Sequence, residues 1–136
     1  MVGHPSGELS LGQLATEAKS NAITAIPQLL DVVDVEGAIV TIDAAGCQTA
    51  IARKIVEGGG DYVLSLKGNQ GTLHESVKAH FTTLGENDFA DADVRCHRTV
   101  VTGHGRIDTL IYYQAKAPDT LAGKSRWMAL RTIGMV

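Results

Sequence analysis

Residues 38–47 read Ala38-Ile39-Val40-Thr41-Ile42-Asp43-Ala44-Ala45-Gly46-Cys47. The first five form a short, β-branched, nearly continuous apolar run, the pattern of a strand covered on both faces in a parallel sheet. The run stops at Asp43, a carboxylate that is costly to bury without a partner. Downstream, residues 48–57 predict a helix with Ile51, Ala52, Ile55 and Val56 inward, stopped by Gly58-Gly59-Gly60. Residues 62–66, Tyr62-Val63-Leu64-Ser65-Leu66, form a second apolar run and predict the next strand. After Lys67-Gly68-Asn69-Gln70-Gly71, Thr72 and Glu75 have the spacing of a capping box. Leu73, Val77, Phe81 and Leu84 make the following helix amphipathic. Upstream, Thr24 can cap a helix with Pro27 in its first turn, and Ile26, Leu29, Leu30 and Val33 fall on one face. Residues 24–84 thus read helix–strand–helix–strand–helix, an α/β layer with parallel strands. A weaker strand is predicted over residues 9–16.

After Asp93 the pattern changes. Residues 94–101 and 106–114 predict two strands joined through Thr102-Gly103-His104-Gly105, a hairpin. Residues 128–136 start another apolar strand in which the chain ends, as expected of a fragment.

The chain has 136 residues, 44% hydrophobic and 20% charged, too apolar for disorder and long enough for one domain with an aliphatic core. No apolar run approaches a membrane span, and the first ten residues lack a secretion signal. With only Cys47 and Cys96 there is no disulfide framework, so a reducing cytoplasm is expected. Charge is unevenly placed. Residues 1–94 carry five Lys/Arg against thirteen Asp/Glu, and residues 95–136 carry seven against two. A basic end can face a polyanion, or it can be an ordinary solvated face.

Asp43 is the leading chemical candidate, at the carboxyl edge of a strand where α/β sheets bind ligands. It reads either as a ligand for Mg²⁺ or Mn²⁺ or as a cap for the helix beginning near Cys47. Lys67 and Asn69 sit in a strand-to-helix turn that could hold a phosphate or a DNA backbone, or be a plain turn. Arg95, Arg98, His104 and Arg106 gather around the predicted hairpin and could grip phosphates. Cys96, His97 and His104 fit no standard zinc spacing. Cys47, near a helix start, reads as a packed thiol more than a nucleophile. A small α/β enzyme acting on a phosphorylated metabolite at the Asp43/Lys67 edge would need a pocket there.

Several blocks together are more specific. Ser20-Asn21-Ala22-Ile23-Thr24-Ala25-Ile26-Pro27, Val40-Thr41-Ile42-Asp43-Ala44-Ala45-Gly46-Cys47-Gln48 and Gly59-Gly60-Asp61-Tyr62-Val63-Leu64-Ser65-Leu66-Lys67-Gly68-Asn69-Gln70 resemble, in order, the H-repeat-associated group of insertion-sequence DDE transposases. Gly103-His104-Gly105-Arg106-Ile107 and Ile133-Gly134-Met135-Val136 are similar to later blocks of that group. The resemblance implies part of a ribonuclease-H-like core, a mixed sheet flanked by helices. Residues 9–84 would be the core part and 94–136 a basic β-hairpin insertion with the start of a further strand, all within one domain over 1–136.

The resemblance further implies three carboxylates holding two Mg²⁺ or Mn²⁺ ions about 4 Å apart, which cut and join DNA strands. Asp43 matches the second carboxylate, and the first and third fall outside the matched segment. One carboxylate cannot assemble a two-metal site, so the chain is expected to be inactive alone, or to serve as a DNA-binding module. Duplex DNA at transposon ends and self-association are the implied partners. Ala22, Ala45, Asp108 and Leu110 depart from the group's pattern, which has an acidic residue, Met, Glu and Arg at those places.

Overall fold

A computed structural model describes residues 22–90 and 93–136. The strand predicted over residues 9–16 lies outside them. The described residues divide into two compact units, one of residues 22–71 with 126–129, the other of residues 72–90 and 93–125 with 130–136. Each contains its own sheet, so among the described residues the strands form two sheets rather than one mixed sheet.

The first unit holds helix α1 (Ala22–Val32), strand β1 (Ile39–Ile42), helix α2 (Thr49–Glu57) and strand β2 (Asp61–Leu64). β1 and β2 are parallel, with Val40 beside Tyr62 and Ile42 beside Leu64. The tight β1–α2–β2 crossover follows from its turn residues. Gly59 has φ +82°, and a Cβ on Gly60 would come within 2.8 Å of the Val35 carbonyl. Val35, Val40, Ile51 and Ile55 form the core, with Ile26, Leu30, Val33, Ile42 and Tyr62 packed on it. Two sequence expectations need correction. Among the described residues, one face of β1 is left open: Ile39 is 66% exposed and Val63 on β2 is 59% exposed. Pro27 lies deeper in α1 than its first turn, since the helix already runs from Ala22.

The second unit holds helix α3 (from Gly71, the last residue of the first unit, to Glu86) and strands β3 (Val94–Gly103), β4 (Arg106–Lys116) and β5 (Thr132–Met135) in the antiparallel order β3-β4-β5. Leu73, Val77 and Phe81 bury one stripe of α3, and Ala115, Ala117, Leu121 and Ile133 are the other buried apolar residues among the described residues of this unit. The Thr72–Glu75 capping box does not form. A 3-10 turn, Gly68–Gln70, runs straight into α3, so Thr72 is already helical, and Glu75 instead lies 3.6 Å from Lys78 and 3.7 Å from His74. Phe89 follows α3 in left-handed backbone, φ +58°, and its ring stacks on Tyr113 at 4.7 Å. The β3–β4 loop has two central residues, His104 and Gly105, with φ +49° and +75°, the signs a type I′ turn requires.

Candidate functional site

Asp43 directly follows the last residue of β1. The ladder closes at the strand ends, where the amide of Ser65, just past β2, donates to the Ile42 carbonyl at 3.1 Å. Both parallel strands therefore end at one rim, with Asp43 on one side and Ser65 to Lys67 on the other. Asp43 Oδ1 accepts the Ala45 amide at 3.1 Å, capping a 3-10 turn over Ala44–Gly46. The cap serves this turn and not α2, whose own N-cap residue is Gln48. Gly46 is required by close approach. A Cβ there would lie 2.3 Å from Ile42 Cγ2 and 2.6 Å from Ile26 Cδ1.

The second loop is bound to the first. Asn69 Nδ2 donates to the Ala44 carbonyl at 2.9 Å, and Gln70 Nε2 donates to the Cys47 carbonyl at 2.9 Å and to Gln48 Oε1 at 3.3 Å. Lys67, at the N-cap of its 3-10 turn, makes no side-chain capping bond and is exposed. Cys47 is buried, and burial pushes its thiol above the usual range, which suits packing and not nucleophilic attack. Burial, with Cys47 nearby, also raises the Tyr62 hydroxyl, which donates to the Met128 carbonyl at 2.8 Å.

Two-metal chemistry needs several carboxylates on one spot. Among the described residues no group of three or more His, Cys, Asp or Glu is placed to hold a metal. The donor set at Asp43, one carboxylate already accepting a backbone amide, does not fit a two-metal centre. A cleft of about 570 Å³ in the first unit is lined by residues of α1 and α2 with Arg126, and neither Asp43 nor Lys67 borders it.

The basic residues of the β3–β4 ribbon do not form one cluster. The register puts Arg95 opposite Gln114, Arg98 opposite Ile111 and Arg106 opposite Gly103. Side chains alternate along a strand, so Arg95 and Arg106 share one face and Arg98 points to the other. Arg95 and Arg106 are eight rungs apart, roughly 26 Å at 3.3 Å per residue. Arg106 is also 3.3 Å from Asp108 Oδ1. His104 occupies the turn itself. Cys96 and His97, being adjacent in β3, face opposite ways. Ile107, 74% exposed, and Val100, 58% exposed, lie on the Arg98 face.

A carboxylate closing a parallel strand, with a second strand ending beside it, is the rim at which α/β proteins bind ligands. The chain belongs to the transposase DDE domain family, whose description matches residues 2–124. It is 42% identical over 129 residues to an uncharacterized protein in the dhlA 3′ region of Xanthobacter autotrophicus, covering 94% of this chain and 42% of that protein. It is also 42% identical over 113 residues to "H repeat-associated putative transposase YbfD" of Escherichia coli strain K12, covering 83% and 44%. Identity to "Putative transposase YncI" of Escherichia coli O157:H7 is 40% over 124 residues, covering 90% and 31%. The chain thus spans less than half the length of these curated relatives. No solved structure matches it. No helix among the described residues is long and apolar enough to cross a membrane.

Proposed function

We propose that this chain is a section of a transposase catalytic core that carries one metal-binding carboxylate, Asp43, and does not cut DNA by itself. The observation that carries the reading is the place of Asp43 at the carboxyl end of β1, at the rim where β2 also ends. Membership of the transposase DDE domain family supports the reaction class we propose, two-metal phosphoryl transfer with Mg²⁺ or Mn²⁺. In a full site such ions would offset the phosphate charge that a bare carboxylate repels. In this reading the β1–β2 unit belongs to a ribonuclease-H-like core over residues 9–84, and residues 94–136 are a β insertion of the same domain, 1–136. Lys67, Arg95, Arg98, His104 and Arg106 are the proposed contacts to transposon-end DNA, in the cytoplasm, with self-association of the chain. Asn69 stands apart from them because its amide is already turned inward to Ala44.

The test is incubation of the purified chain with end-labelled duplex DNA and Mg²⁺ or Mn²⁺. No nicking above the Asp43→Asn background is expected. Nicking lost only in Asp43→Asn would overturn the inactivity.

The exposed arginines of the ribbon favour a second reading, a DNA-binding module derived from a transposase. Counterion release then demands affinity that falls steeply with salt. Absence of binding to duplex DNA at about 50 mM salt removes this reading.

A further inference from the structure

We infer that Asn69 and Gln70 are positioning residues, which fix the orientation of Asp43 by gripping the backbone of the turn that follows it. The turn is small, and its own bonds are few. The Gly46 amide donates to the Asp43 carbonyl at 3.1 Å, Cys47 to Ala44 at 3.2 Å and Gln48 to Gly46 at 2.9 Å. The first two are 3-10 bonds and the third, between residues two apart, is a γ-turn bond. The geometry of 3-10 bonds is poorer than that of an α-helix, so the turn gains from outside support. Asn69 and Gln70 are neighbours on another short turn, and each donates a side-chain N–H to a carbonyl more than twenty residues away. The two carbonyls, on Ala44 and Cys47, flank Gly46 on either side. Two donors from one turn to two acceptors three residues apart fix both the position and the rotation of the segment between them.

Ile42 and Ile26 also pack against that segment and leave no room for a Cβ at Gly46. The Asp43 cap depends on this grip, because its acceptor oxygen meets the Ala45 amide inside the same turn. A primary amide is the group the geometry asks for. It offers N–H donors without charge, whereas a carboxylate at either position would face a carbonyl with no proton to share. The Lys67-Gly68-Asn69-Gln70 stretch therefore has two tasks. Its lysine is exposed at the rim, while its two amides hold the neighbouring loop.

This inference rests on Asp43 being the functional carboxylate, but the two fail separately. Nicking assays test what Asp43 does, and the following experiment tests what holds it, with no metal present. The full chain, labelled with ¹⁵N and ¹³C, is compared with Asn69→Asp, Gln70→Glu and the uncharged Asn69→Ala. Two signals are read, the three-bond couplings that report the Asp43 χ1 rotamer and the exchange rates of the Ala45, Gly46, Cys47 and Gln48 amides. The Asp61 amide, which donates to the Ala38 carbonyl at 2.8 Å at the far end of the same ladder, is the internal reference. Each variant should move the Asp43 couplings toward rotamer averaging and speed exchange of the four loop amides about tenfold or more, with Asp61 little changed. A uniform rise that includes Asp61 signals general destabilisation and overturns the inference. Unchanged Asp43 couplings in all three variants overturn it as well.

Discussion

The Asp43 rim and the β3–β4 ribbon both present polar groups, yet they arrange them in opposite ways. At the rim, Asp43, Asn69 and Gln70 lie on two loops, and side-chain-to-backbone bonds draw those loops together. On the ribbon, Arg95, Arg98 and Arg106 lie on extended strands, where alternation sends neighbours apart. Loops at the end of a parallel pair can concentrate chemistry on one point. A two-stranded ribbon distributes it over two faces and a length of roughly 26 Å. The first arrangement suits a reacting centre and the second suits a long anionic backbone.

Substitutions can break this contrast, and the largest effect is expected in the core beneath the rim. Ile55 is fully buried, so Ile55→Ala should lower unfolding free energy by about 3 kcal/mol. Ile107→Ala on the ribbon, at a site 74% exposed, should stay within about 0.5 kcal/mol. Urea melts of the two variants make the comparison directly. Gly46→Ala comes next. Its methyl must displace the β-branched Ile42 as well as the tip of Ile26, for a loss of about 2 kcal/mol in the same assay.

The two faces of the ribbon can be separated by DNA binding. If one face meets the phosphates, only one of Arg95→Ala and Arg98→Ala should reduce the slope of log affinity against log salt by about 0.9. Equal reductions from both would return the ribbon to a single basic cluster. A smaller gain is expected at the turn. His104 holds left-handed backbone that Asn tolerates better, so His104→Asn should stabilise the ribbon by about 0.5 kcal/mol, read as a rise in melting temperature.

The smallest effect concerns Asp119, whose carboxyl the Lys124 ammonium at 2.8 Å, also bonded to the Ala117 carbonyl, holds below its ordinary value of 3.8. A carboxyl lowered in the folded state adds stability in full above 3.8, and loses it as pH falls through the folded value. Asp119→Asn removes that contribution, so it should lower the melting temperature slightly near neutrality. The difference from wild type should vanish as pH falls below the folded value, with the acid limb flattened accordingly.

Much of this was legible in the sequence, for identifiable reasons. The apolar run 39–42 and the helix over 49–57 announce themselves by period, and three consecutive glycines mark where α2 must end. Parallel pairing of β1 and β2 follows from a short helix between two apolar runs. The split of Arg95 from Arg98 was also available, since an odd difference in strand position means opposite faces. The grip of Asn69 and Gln70 was not. A side-chain amide meeting a carbonyl twenty-odd residues away leaves no periodic mark, so the stretch reads as a phosphate loop or plain turn. The exposed face of β1 was missed for a related reason. A continuous apolar run shows what a strand could bury, while what covers it is decided elsewhere in the chain.

The central proposal is that Asp43 is one arm of a metal cradle whose other arms are not gathered around it among the described residues. Titration of the purified protein with Mn²⁺, following free ion by its electron paramagnetic resonance signal, tests this most directly. Wild type and Asp43→Asn should deplete the signal equally, with no saturable site in the micromolar range. A stoichiometric site present in wild type and abolished in Asp43→Asn would contradict the claim, because such affinity requires further ligands beside Asp43.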